Sequence, residues 1–196
     1  MMNKILLDNN SIINLNIFED TICNIGNEYN LKELNIKLNN NTKLIINHYK
    51  EIESSILTIN IKQENNSEFI YNHSFINKNR YNLNVNVILE NNMCINNINI
   101  HGISDSGISN IKIDGKVSEN TNNNEIYESI KMINMNKGKS MIIPNMYINT
   151  KNVIANHAAS ISDISKDYLL YLNQKGINDS EAIKLIIDGF LENDAK

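Results

Sequence analysis

Proline occurs once and tryptophan not at all in these 196 residues, and cysteine occurs only as Cys23 and Cys94. Two cysteines so far apart, with no Cys-x-x-Cys spacing, exclude a disulfide-built scaffold and a zinc knuckle. Both are expected to be buried thiols. Without tryptophan there is no ready platform for stacking on a sugar. Arg80 is the only arginine, the lysines are scattered, and the net charge is -4. No basic stripe is therefore available to a phosphate backbone, which argues against nucleic acid. No apolar run approaches the ~18 residues of a membrane span, and Met1 to Ser11 lacks the apolar core of a signal peptide. The expectation is a cytoplasmic protein with no membrane segment, in which sequons such as Asn65-Asn66-Ser67 carry no glycan.

What is present is ordinary in bulk: 41% apolar and 20% charged residues, enough for one domain, or one domain with a short appendage, around a sizeable core. Asparagine and isoleucine stand far above their usual shares. AT-rich codons would produce this bias, and most of the asparagine excess is assigned to them.

From Lys4 to about Val153 the apolar period is mostly two, as in Ile12-Ile13-Asn14-Leu15-Asn16-Ile17, Leu34-Asn35-Ile36-Lys37-Leu38 and Ile56-Leu57-Thr58-Ile59-Asn60-Ile61. It continues through Leu83-Asn84-Val85-Asn86-Val87, Ile95 to Ile100 and Ile111-Lys112-Ile113. Such alternation places β-branched side chains on one face of a strand. The linkers are rich in Asn, Ser and Gly, residues suited to left-handed turns. An antiparallel sandwich and a coiled stack of parallel strands both fit. Few two-residue hairpin signals occur, and abundant Asn suits turn ladders, so the stack is preferred, although no fixed repeat length is visible.

The period changes after Ser160. Ser165 is placed to cap a first helix with Tyr168, Leu169, Tyr171 and Leu172 on one stripe, and Gly176 to end it. Asn178 and Glu181 have the spacing of a capping box, and Ile183, Ile186, Ile187 and Phe190 recur at helical intervals. The division is thus a β body over 1–160 and a helical hairpin over 161–196. Part of both stripes must form the seam between the helices, and the remaining face is free for a partner.

Several spaced blocks carry a family resemblance. They are Pro144, thirteen residues before His157, then His157-Ala158-Ala159-Ser160, Tyr168-Leu169-Leu170-Tyr171-Leu172 running on to Lys175-Gly176-Ile177, Glu181-Ala182, and Gly189-Phe190. Upstream, His101-Gly102-Ile103-Ser104 joins them. In this order they resemble the SufB/SufD family of iron–sulfur cluster assembly scaffold proteins, in a short, minimal form. The resemblance covers about residues 100–191, and residues 1–95 share only its texture. It implies a right-handed parallel β-helix (a β-solenoid) with a C-terminal two-helix hairpin that docks a SufC-like ABC ATPase. It also implies pairing of two scaffold subunits, in a homodimer or with a second SufB/SufD-type subunit, around a transient iron–sulfur cluster. Such a chain would be no enzyme.

The resemblance makes His157 the leading cofactor and metal ligand, one imidazole nitrogen meeting iron while the other is held by the backbone. A histidine that merely bonds the turn before the first helix is the competing reading. The hairpin residues expected to meet the ATPase are Tyr168, Leu169, Tyr171, Leu172, Lys175, Ile183, Ile187 and Phe190. Two positions depart from the SufB-type pattern. Ala158 stands where that type has a glutamate, and Ser129, beside Glu128, stands where it has a sulfur-accepting cysteine. A hydroxyl cannot carry persulfide sulfur, which needs a thiolate. Lys175 replaces an arginine, keeping the charge without the bidentate fork. A cluster commonly needs four protein ligands, and His48, His73, His101, His157 and two distant cysteines form no cage in one chain. The alternatives are a SufD-like structural subunit without cluster chemistry and a β-solenoid carbohydrate-active enzyme, whose acidic pair is not evident among Asp105, Asp114, Glu119 and Glu125.

Overall fold

The computed structural model describes residues 2–5, 7 and 11–192. Its strands are β1 (Asn3–Ile5), β2 (Ile12–Ile17), β3 (Thr21–Ile25), β4 (Glu33–Leu38), β5 (Lys43–Gln63), β6 (Glu68–Leu89), β7 (Ile95–Asp105), β8 (Ile108–Val117), β9 (Asn124–Met135), β10 (Lys139–Ile148) and β11 (Val153–Asp163). Helices α1 (Lys166–Gln174) and α2 (Asp179–Glu192) follow. Every strand pairing is parallel. One stack runs β1-β3-β5-β6-β7-β9-β11, and a second runs β2-β4-β5-β6-β8-β10. Because β5 and β6 belong to both stacks, the two are faces of one coil, a parallel β-solenoid with a C-terminal helical pair.

The long strands β5 and β6 each pass from one face to the other, and their shared register shifts between Ile52 and Ser54 where they do. Alternation fills the space between the faces. Leu44, Ile46, Ile59, Phe69, Tyr71, Leu83, Val85, Ile98, Ile113 and Ile130 are completely buried. At roughly 25 cal/mol per Å² of apolar surface, this continuous core is the main source of stability, since each rung can bury its inward face only on its neighbours.

Outward-facing asparagines stack from rung to rung. On the second face Asn35 donates to Asn14, Asn60 to Asn35 and Asn86 to Asn60, at 3.0, 2.8 and 2.8 Å. Asp114 continues the column and accepts from Asn145 at 2.8 Å. On the first face Asn47 donates to Asn24, Asn72 to Asn47 and Asn99 to Asn72. Many of the asparagines assigned to codon bias thus hold a structural position. The ladder partners are 21, 25, 26 and finally 31 residues apart along the second face. The rungs lengthen toward the C-terminus, so the sequence shows no fixed repeat. One corner recurs in left-handed conformation at Asn41, Asn66, Met93 and Asn123, with φ between +55° and +58°. Asparagine tolerates that region because its short side chain bonds locally.

The helices begin and end as their cap residues direct. Ser165 occupies the N-cap of α1 in extended conformation, without a side-chain hydrogen bond. Gly176 lies at φ +85° just beyond the helix, a conformation that costs glycine little. Asn178 Oδ1 accepts from the Glu181 amide at 3.0 Å, the expected cap of α2. Ala182 is buried, the Phe190 ring stacks on His101 at 5.1 Å, and Ser74 Oγ donates to the Leu191 carbonyl at 2.9 Å. These contacts hold α2 to the flank of the solenoid at β6 and β7. α1 has no buried residue.

Candidate functional site

The last rung is uncovered. Among the described residues strand β11 pairs only with β9, and β10 only with β8, so both offer a free edge, and no described strand stacks on their inward side chains. Exposed Met141, Ile143, Tyr147, Ile154 and Ile161 cluster on these two strands. His157 lies here, exposed in the middle of β11.

Register explains what His157 stands on. In one inward column Cys23, Ile46, Tyr71, Ile98, Glu128 and His157 succeed one another, rung upon rung. An apolar column therefore ends in a carboxyl and an imidazole. Glu128 is 2% exposed, and neither of its carboxyl oxygens has a hydrogen-bond partner. Its side chain fills the space opposite Gly115, where a Cβ would lie 2.7 Å from Oε1. Burial, reinforced by the charge of Asp114, pushes the Glu128 carboxyl up to about 8. A buried carboxyl without partners is costly, and such a cost is retained most often where a site needs it. The sequence reading noted Glu128 only as the neighbour of Ser129. Its inward position follows from the β9 alternation Ile126, Glu128, Ile130, which was the signal available.

The outward column of the same face changes at the same two rungs. Above Asn99 come Ser129 and then Ala158, in register. The two positions that depart from the SufB-type pattern thus lie side by side on adjacent strands, each next in sequence to a member of the Glu128–His157 pair.

Neither thiol approaches this end. Cys23 is buried four rungs below Glu128, about 19 Å at the spacing of paired strands, and burial pushes its thiol up to about 11. Cys94 is buried at the corner before β7, where its Sγ donates to the Glu64 carbonyl at 3.2 Å. Burial raises its pKa as well. Both are the packed thiols expected from the sequence. Among the described residues no group of three or more His, Cys, Asp and Glu side chains is arranged to hold a metal. The other histidines are elsewhere: His48 and His73 stack at 4.3 Å inside the middle rungs, bonded to Tyr71 and Tyr81, and His101 lies under Phe190.

The hairpin residues divide into two sets. Leu169, Leu172, Ile183, Ile187 and Phe190 are half-buried in the seam and against the flank. Tyr168 and Tyr171 are 67% and 57% exposed, and Lys175 lies over the Tyr171 ring at 5.6 Å. Leu170 and Leu185, which the stripe analysis passed over, are 58% and 53% exposed. A cleft of about 600 Å³ opens where the end of α2 meets the flank, lined by Glu28, Asp188 and Glu192 with Asn47 and Asn72. Of the histidines weighed in the sequence only His48 lines it, and neither His157 nor any of the hairpin residues expected to meet a partner does.

Fold and site define a class, a parallel β-solenoid ending in an uncovered rung and a helical arm. A family model described as SUF system FeS cluster assembly, SufBD core domain, matches residues 4–190, and the chain belongs to that family. The match takes in the N-terminal half, where the sequence reading found only texture. The chain is similar to the iron-sulfur cluster assembly protein SufB of Bacillus subtilis, 35% identical over 78 residues, which is 40% of this chain and 16% of that protein. It is also similar to iron-sulfur cluster assembly SufBD family proteins of Staphylococcus saprophyticus and Staphylococcus epidermidis, 35% identical over 57 residues, 29% of this chain and 12% of theirs. The aligned segment thus spans well under a quarter of each relative's length. Family membership connects the chain with iron–sulfur cluster assembly.

Proposed function

We propose that this protein is a non-catalytic scaffold or accessory subunit of a Suf-type iron–sulfur cluster assembly complex. Its uncovered last rung pairs with a second copy or another SufB/SufD-type subunit, and its helical arm docks a SufC-like ABC ATPase. Family membership over residues 4–190 carries the reading. The free edges of β10 and β11 support the pairing, since covering them with a like surface satisfies their backbone groups. The ATPase reading is supported by α1, which packs no residue into the body and leaves Tyr168, Leu170 and Tyr171 in solvent. An exposed aromatic and aliphatic helix face is the usual means of seating a helix in a groove. Any cluster is cargo, not a resident group. Ser129 and Ala158 favour the SufD-like version, in which a partner subunit supplies the thiolate chemistry.

Co-purification of the full chain with a SufC-like ATPase tests the docking. Leu170→Asp and Tyr171→Asp are expected to abolish capture while the β-sheet circular dichroism and the sedimentation coefficient stay unchanged. Undiminished capture by both variants would refute the arm as the docking site.

A further inference from the structure

The lysines that lie scattered along the sequence are gathered by register. On the second stack Lys37, Lys62, Arg80, Lys112, Lys116 and Lys139 all point outward, and the described acidic side chains that point outward with them are Glu33 and Asp114. This is a basic face on a chain whose net charge is -4. We propose that it is a docking surface for an acidic amphipathic helix of a partner protein, laid along the strands between Ile56 and Met141. The contact is separate from those put forward above, which use the edges of the last rung and the helical arm.

Charge sets the sign of the partner. Lys37 is paired with Glu64 of the adjoining corner at 3.4 Å, and Lys112 with Asp114. Lys62, Arg80, Lys116 and Lys139 have no ion pair among the described residues. Shape sets its kind. Ile56, Asn82, Asn110 and Met141 form one outward column, rung upon rung. Ile56 and Met141 are exposed at its two ends, and so is Ile143 beside Met141. Between these apolar walls lies a hollow of about 310 Å³, lined also by Asn82, Asn84 and Asn110. Asn110 donates to Asn82 at 2.8 Å, so that part of the hollow already holds its hydrogen bond and can be covered at little cost. The two walls stand three strand spacings apart, about 14 Å, which is room for one helix of about 10–12 Å diameter. Along the strands Arg80 and Lys139 mark one end and Lys62 and Lys116 the other, about 26 Å away. A helix of about 18 residues covers that length. Carboxylates at its two ends meet the four unpaired cations, while its apolar stripe packs on Ile56, Met141 and Ile143. A nucleic acid would need phosphate contacts across the middle of the face, where isoleucine, methionine and asparagine stand.

The test titrates the full chain with a fluorescein-labelled synthetic helix of about 18 residues, with a leucine stripe on one face and glutamate on the other. Saturable binding is expected, weakened about tenfold or more as salt is raised from about 0.05 to 0.5 M. The same helix with lysine in place of glutamate should not bind. Ile56→Asp with Met141→Asp, both at exposed positions, should abolish binding. Lys62→Glu with Lys116→Glu should weaken it about tenfold or more. Circular dichroism and thermal melting of both double variants should match the parent. Leu170→Asp, on the arm, should bind as the parent does. Undiminished binding by either double variant, equal binding of the lysine helix, or loss of binding in Leu170→Asp would overturn the proposal. So would no binding at all, or tighter binding of single-stranded DNA or phosphatidylserine vesicles than of the acidic helix. None of these results bears on the capture of an ATPase by the arm, which its own assay reads.

Discussion

The two faces of the solenoid are built on one rule and part company at its end. On the face of β2, β4, β8 and β10 the outward column stays polar up to Asn145, bonded from Asn14 to Asn86 and again from Asp114 to Asn145, and Ile111, Ile113 and Val117 stay apolar on its inward side. On the opposite face both columns break together. Asn99 gives way to Ser129 and Ala158 outside, and Ile98 gives way to Glu128 and His157 inside. A packing requirement would have been met as well by asparagine and isoleucine, since the other rungs use them. Departures that coincide on two adjacent rungs, on both sides of the sheet, mark positions where folding did not make the choice.

The largest break in this comparison comes from moving the carboxyl one rung inward. Ile98→Glu places it between Tyr71 and Glu128, fully covered, and is expected to cost on the order of 4 kcal/mol. The reverse change, Glu128→Ile, restores the column and should stabilise the chain by about 1–3 kcal/mol. Urea titrations of both variants give the two signs. A cost near zero for Ile98→Glu would mean that the core accepts a carboxyl anywhere and that Glu128 marks nothing.

The buried histidines sharpen the contrast, because in the covered rungs His48 and His73 have partners. His73 Nδ1 meets the His48 carbonyl and its Nε2 the Tyr81 hydroxyl, and His48 Nδ1 meets the Tyr71 hydroxyl. Burial holds His73 down to about 4, and burial together with the neighbouring His73 holds His48 well below its usual value. The unfolded chain protonates its histidines near pH 6.5, before the folded chain does, so stability falls as pH drops from 6.5 toward 4. His73 stops contributing below that window. The loss from His73 is about 3 kcal/mol at most. His73→Gln should flatten this part of a pH series of urea melts, and an unchanged slope would show that His73 is not the group responsible.

How much of this was legible follows the same division. Alternation gave the bounds of β2, Ile12 to Ile17, and the start of β7 at Ile95, although β7 runs on past Ile100 to Asp105, because a period of two is a local property. The helical arm was legible for the same reason, from Gly176 and the Asn178–Glu181 cap. The continuity of β5 and β6 around a corner was not, since a bend in a solenoid needs neither proline nor glycine. Register was not legible either. With rungs that lengthen from 21 to 31 residues, no sequence period tells that Glu128 lies under His157 or that Ser129 ends an asparagine column. The site was therefore half visible: His157 by family pattern, Glu128 only once the strands were aligned.

Within the ladders, position decides cost. Asn60 donates to Asn35 and accepts from Asn86, whereas Asn99 donates to Asn72 and has Ser129 above it. Each net hydrogen bond contributes about 0.5–1.5 kcal/mol. Asn60→Ala should therefore cost about 2 kcal/mol and Asn99→Ala about 1 kcal/mol by thermal or chemical melting. Equal costs would show that the ladder does not act as a chain of separate bonds.

The smallest effect is the most telling about the end of the molecule. Ser129→Asn extends the first-face ladder by one rung, giving Asn99 Oδ1 a donor like those that Asn24, Asn47 and Asn72 already have. Asn99 and position 129 are already in register, so the new amide needs no backbone shift. The gain is one partly exposed hydrogen bond less the ordering of one side chain, about 0.5 kcal/mol. Such an increment is available to a single substitution and is unused at this rung, while Asn145 takes it at the same level on the other face. If Ser129→Asn raises stability yet weakens association of the chain with its partner, serine is there for what meets the surface. If it raises stability and leaves association unchanged, the end of the ladder has no role in the contact, and Glu128 and His157 must account for it alone.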